Sequence, residues 1–124
     1  MNKTKKLLEA IILGASEKKA EKLISLDFSE TNNSVCNYFV ICDAQSGRQV
    51  TAIADSVQEF AFKEADEKVI KTHGYENAQW IIIDFGDVLV HVFQTEYRQK
   101  YKLEALWADA KTTNYQLPIN NLQK

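Results

Sequence analysis

The chain is poor in the residues that staple, bend or break a backbone: its 124 positions hold two cysteines, one proline and four glycines. Two thiols cannot form a disulfide framework. Cys36 and Cys42 sit six apart in what reads as one strand, where about 3.3 Å per residue separates them by roughly 20 Å, too far to bridge. They read as reduced core thiols of a cytoplasmic protein. Neither CxxC nor HxxxH spacing occurs, so no metal or other cofactor is expected. Four glycines are too few for a phosphate-binding loop, and Ser46-Gly47 at a helix start lacks the lysine such a loop needs. No apolar run approaches the ~18 residues of a membrane span. Glu9 interrupts the short group Leu7, Leu8, Ile11 and Ile12, so export is not expected either. An excess of one charge is also missing: 15 Lys and Arg stand against 17 Asp and Glu, a net charge of -2. Such a field is too weak to gather nucleic acid over the whole surface. Lys3, Lys5, Lys6, Lys18, Lys19 and Lys22 crowd the first segment, but Glu9, Glu17 and Glu21 are interleaved with them, as on a solvated helix face.

What is present is apolar patterning. Hydrophobic residues make up 45% of the chain, enough for one core in a domain of this length. From Lys3 to about Lys22, the residues Leu8, Ile11, Ile12 and Ala15 recur at helical intervals. Ile24 to Phe28 alternates as a half-buried strand does, and residues 30–34 form a polar turn. Val35 to Cys42 is apolar on both alternating sets except at Asn37, which predicts a central strand covered on both faces. Ser46 followed by Gln49 is a capping box that opens a second helix, with Val50, Ile53, Ala54, Val57 and Ala61 as its buried stripe and an end near Glu67. Residues 71–77 read as a loop around Gly74. Trp80–Ile83 and Val88–Phe93, joined by residues 84–87, read as a hairpin. One or two short helical turns follow, up to Trp107, whose spacing after Leu103 and Leu106 suits a core position. Residues 1–107 are thus expected to be a single domain. Residues 108–124 read as a polar tail that only Tyr115, Leu117 and Ile119 can dock. The order α, β, β, α, β, β, α predicts an α/β domain of the α+β kind, a mixed sheet flanked by helices.

Candidate chemistry concentrates on the hairpin. Asp84, Asp87 and His91 could hold a divalent ion or share a proton. Two carboxylates on one strand face would sit two residues apart, whereas these lie three apart across a turn, so one face cannot present both. Closure of the turn by Asp84 and Asp87, with His91 satisfied by a neighbour, is the competing structural reading. Ser46 with His91 or His73 has no nucleophile motif around it. Trp80, Tyr97, Tyr101 and Trp107, with Arg98, gather aromatic and guanidinium groups in the last third, and such side chains anchor protein interfaces as often as they fill cores.

The run Trp80-Ile-Ile-Ile-Asp84-Phe-Gly86-Asp87-Val-Leu-Val-His91-Val-Phe, followed by Glu96-Tyr-Arg98, Tyr101, Leu103-Glu104 and Leu106-Trp107, resembles the signature of the ribosomal silencing factors, or Iojap-like proteins. The likeness extends upstream through Leu26-Asp27, Tyr38 to Cys42, Ser46 to Val50 and Ile53-Ala54-Asp55, and so covers roughly residues 5 to 107. It implies a nucleotidyltransferase-like fold without the catalytic set. It also implies a non-enzymatic function: binding ribosomal protein fourteen of the large subunit, so that the small subunit cannot join and translation falls when nutrients are scarce. On that footing the expected contact residues are Trp80 as an apolar anchor, Asp84 and Asp87 facing basic groups, and His91, Tyr97, Arg98 and Tyr101 around them. Secondary contacts with ribosomal RNA would fall to the lysines of the first helix. Exposed β and aromatic surface invites self-association, which makes a homodimer an expectation for the free protein. The rival from another class is a metal-dependent nucleotidyltransferase using Asp84 and Asp87.

Overall fold

The computed structural model describes residues 2–29, 36–106 and 110–115, with the side chains of Glu104 and Leu106 excepted. Helix α1 (Lys3–Glu17) opens on Asn2, whose side chain accepts from the Thr4 and Lys5 amides. It ends five residues before Lys22, because Lys19 and Lys22 turn to positive φ and the chain enters strand β1 (Glu21–Asp27). Strand β2 (Tyr38–Ala44) is buried along its whole length, as the two-sided apolar run predicted. Residues 30–35, and with them the polar turn, lie outside the described residues.

Helix α2 (Gly47–Ala65) starts where the capping box placed it, but only half of the box forms. Ser46 Oγ accepts from the Gln49 amide, while the Gln49 side chain donates to the carbonyl of Lys18 at the end of α1. Helices α1 and α2 then meet closely at Gly14. A Cβ there would lie 2.8 Å from the Ser56 carbonyl oxygen, and Ser56 Oγ donates to the Gly14 carbonyl at 2.7 Å.

Strand β3 (Lys71–His73) corrects the loop expected at 71–77. It pairs antiparallel with β4 (Trp80–Asp84), which pairs antiparallel with β5 (Val88–Gln94) as the hairpin predicted. Gly74, at φ 93°, sits where any side chain would run into the Trp80 carbonyl. Two short helices, α3 (Thr95–Tyr101) and α4 (Leu103–Leu106), follow, and then β6 (Lys111–Asn114), a strand inside the stretch read as a polar tail. It pairs with β1, and Tyr115 docks there, its hydroxyl 3.1 Å from Ser25 Oγ. Trp107 lies outside the described residues, as do Leu117 and Ile119.

The six strands form one mixed sheet in the order β3-β4-β5-β2-β1-β6, with β2 and β5 the parallel central pair. This is the expected α/β architecture of the α+β kind, a mixed sheet flanked by helices. Alternation divides the side chains cleanly. Val40, Cys42, Ile81, Ile83, Val88, Val90 and Val92 point to the face covered by α1 and α2. Ile24, Phe39, Ile41 and Phe93 point to the other, where Trp80, Leu89, Tyr97 and Leu103 are only half-buried. The two cysteines belong to opposite faces. Burial pushes the Cys36 thiol up to about 11 and the Cys42 thiol up to about 12, so both stay protonated and inert.

Candidate functional site: the half-covered aromatic face

Among the described residues, the face opposite the long helices has only α3 and α4 over it. Trp80 at the start of β4 stacks on Phe93 of β5, with ring centroids 4.9 Å apart and planes at 25°, and Tyr101 of α3 leans on the same indole at 5.0 Å. Tyr101 is 48% exposed, one of three large hydrophobic side chains among the described residues that are exposed. The arrangement follows from the period-two register: Trp80, Ile82 and Asp84 share a side of β4, and Leu89, His91 and Phe93 share the adjoining side of β5. Aromatic rings with one wet edge, over a packed floor, suit an interface anchor.

His91 lies under this face, not on it. Its Nδ1 accepts from Trp80 Nε1 at 3.1 Å, and its ring is 4.6 Å from that of Phe39. An indole N–H can only donate, so Nδ1 carries the lone pair and the proton of the neutral ring sits on Nε2. That buried Nε2 has no hydrogen-bond partner among the described residues. Burial pushes His91 down to about 4, which keeps it neutral at ordinary pH. Its visible role is to fix the direction of the Trp80 indole.

Arg98 corrects its placement among the surface contacts. Its guanidinium is buried and donates from Nη1 to Asp43 Oδ1 and to the Lys22 carbonyl, each at 2.7 Å, while Thr95 Oγ1 donates to Asp43 Oδ2 at 2.6 Å. Asp43, fully buried at the end of β2, was not singled out in the sequence. The only trace it leaves there is an acid closing an otherwise apolar run. A charge in that position needs a partner, and Arg98 of α3 supplies one from 55 residues away. The pair therefore ties α3, which carries Tyr97 and Tyr101, to the centre of the sheet.

The two hairpin acids part ways. Asp84 closes the turn, its Oδ1 accepting from the Gly86 amide at 2.8 Å, and its main chain pairs with β3. Asp87 is exposed and its carboxylate accepts from Thr4 Oγ1 at the start of α1. Among the described residues no three His, Cys, Asp or Glu side chains gather where a metal ion could sit. Ser46 caps α2 and His91 faces Trp80, so those two form no nucleophile and base pair. Among the described residues no helix is long and apolar enough to cross a membrane.

Comparison with known proteins decides the family. The whole chain, residues 1–124, matches the family model described as ribosomal silencing factor during starvation, RsfS. The chain belongs to the ribosomal silencing factor family. A Bacillus subtilis protein named ribosomal silencing factor RsfS is 37% identical over 119 residues, spanning 94% of this chain and 97% of that one. A crystal structure of a Chromobacterium violaceum protein, 29% identical, superposes over all of both chains with a TM-score of 0.79. A mouse protein named mitochondrial assembly of ribosomal large subunit protein 1 is 27% identical over 100 residues, covering 70% of this chain and 44% of that one. Membership gives this ribosomal silencing factor a ribosome-associated role in silencing translation.

Proposed function

We propose that the protein silences translation without catalysis, by docking in the cytoplasm on ribosomal protein fourteen of the large subunit and occupying the space the small subunit needs. Steric occlusion requires a stable interface and no chemistry. The observation that carries this reading is the half-covered aromatic face. Trp80 is stacked, oriented by His91 and left wet on one edge, and Tyr101 stands beside it in the open. A face so built loses little conformational entropy when a partner covers it. The mouse relative's name, with its reference to assembly of the large subunit, supports that subunit as the target.

In this reading Trp80, Tyr97 and Tyr101 make the apolar centre, and Asp84 and Asp87 at the hairpin tip meet basic groups at its edge. His91 and Arg98 act from beneath by holding Trp80 and α3. The same face, half-covered among the described residues, is the place for a homodimer of the free protein to form. Sedimentation through a sucrose gradient tests the proposal: added protein should travel with the large subunit and deplete joined ribosomes. Asp87→Lys and Tyr101→Ala, both at exposed positions, should lose that co-migration while their folding is intact. Migration with small subunits alone, or undiminished binding by both variants, overturns it.

A further inference from the structure

At the carboxyl end of the parallel pair the chain leaves in opposite directions. From β2 it passes to α2, which packs on the aliphatic face, and from β5 to α3, which packs on the aromatic face. Such a divergence between neighbouring parallel strands opens a crevice beyond their ends, where α/β sheets commonly receive small ligands. A cavity of about 350 Å³ lies there, lined by Lys22, Asp43, Thr95, Arg98, Gln99, Lys102 and Ala105. That volume falls within the usual range for small-molecule sites, about 300–1,000 Å³.

Among the described lining residues positive charge is in excess. Asp43 is the one acid among them, and it is already held by Arg98 and by the Thr95 hydroxyl. Lys22 and Lys102 both line the wall, and neither ammonium forms an ion pair with a carboxylate among the described residues. Both are held at φ 48°, Lys102 as the left-handed cap of α3 and Lys22 at an irregularity in the β1–β2 pairing. The Lys22 carbonyl is pinned by Arg98, and Lys102 caps α3 through the Arg98 carbonyl, so one buried arginine sets the position of both lysine backbones.

We propose that this cavity binds a small phosphorylated ligand by its terminal phosphate, a phosphomonoester or diphosphate group. Lys22 and Lys102 neutralise the doubly charged group, the Gln99 amide donates to it, and the Asp43–Arg98 pair forms an electrically closed floor. A terminal phosphate carries close to two negative charges, matching the two lysines, whereas a phosphodiester carries one. The site is separate from Trp80 and the hairpin acids and goes beyond the docking function. Its failure would leave large-subunit binding by the wild-type protein untouched.

The test is an amide-resolved NMR titration of the full chain with pyrophosphate, AMP, adenosine and a 5′-hydroxyl oligoribonucleotide. Pyrophosphate and AMP should shift the amides of Lys22, Gln99 and Lys102 in a saturable way, and adenosine should not. The Lys22→Ala/Lys102→Ala variant, changed only at exposed side chains, should keep a dispersed spectrum and bind roughly tenfold or more weakly. Lys22→Arg/Lys102→Arg should retain binding. The proposal is overturned by shifts that avoid these three residues, by unchanged affinity in the double alanine variant, or by an oligoribonucleotide that competes as well as AMP does.

Discussion

The two faces of the sheet are built on different principles. The face under α1 and α2 is aliphatic, sealed and closely packed, with Ile11, Ile53, Val57, Ile81 and Val90 wholly buried and a glycine letting the two helices meet. The other is aromatic and polar beneath, roofed among the described residues by eleven helical residues in two short pieces, and holds a buried ion pair and a buried histidine. The first face makes the domain stable. The second accepts charge burial and partial exposure, costs that a stability-only design would avoid. On the proposed reading the aromatic side is the one that meets other molecules.

Breaking the polar tie should have the largest effect. Arg98→Ala leaves the buried Asp43 carboxyl without its guanidinium, and is expected to cost about 3–5 kcal/mol in urea unfolding, since removing one partner strands the other. Binding to the large subunit should fall with it, because α3 is no longer anchored. Ile53→Ala cuts into the sealed face and should cost about 3 kcal/mol by the same measurement. The fraction that stays folded should bind the subunit normally, and equal binding losses in both variants would erase the contrast between the faces.

The histidine gives a subtler probe. Its folded-state pKa, about 4, lies below the ordinary value of 6.5, so the unfolded chain takes up its proton first as pH falls. The contribution of neutral His91 is therefore complete above pH 6.5 and is lost between there and pH 4, by up to about 1.4 kcal/mol per unit. Urea midpoints collected over that range should decline more steeply for the wild type than for His91→Phe, and parallel curves would remove the histidine from the account. The smallest stability change belongs to Tyr101→Ala, expected within about 0.5 kcal/mol because the ring is half in water. Its subunit affinity should nonetheless drop at least tenfold, about 1.4 kcal/mol, in the sedimentation assay.

Much of the fold was legible because its main elements carry strong periods. Both long helices, the central strand β2 and the β4–β5 hairpin follow from apolar spacing and from Ser46. The strands that were missed have no such signature. Lys71-Thr-His73 and Lys111-Thr-Thr-Asn114 are polar edge strands, placed by hydrogen bonding to β4 and β1, and a two-residue period is invisible when no side chain is fully buried. The burial of the candidate side chains was less legible than the strands and helices that carry them. Trp80 and Tyr101 stand at the surface as their types suggest, but the exposure of Arg98 depends on Asp43, 55 residues away, and no local pattern reports such a partner. Neither does spacing reveal that His91 turns inward to receive the Trp80 proton donor.

Strand β6 has a bearing on how the chain is made. It is the last described strand in the sequence and the edge partner of β1, the first strand. Domains begin to fold while their carboxyl-terminal segments are still being synthesised. For that interval β1 has its far side unpaired, an open row of amides and carbonyls able to recruit another chain. Every copy thus passes through a stage in which synthesis must run past residue 114 before the outer side of its first strand is shielded. Hydrogen exchange on stalled nascent chains should find the β1 amides that face β6 protected only after residue 114 has left the exit tunnel, and those that face β2 protected earlier.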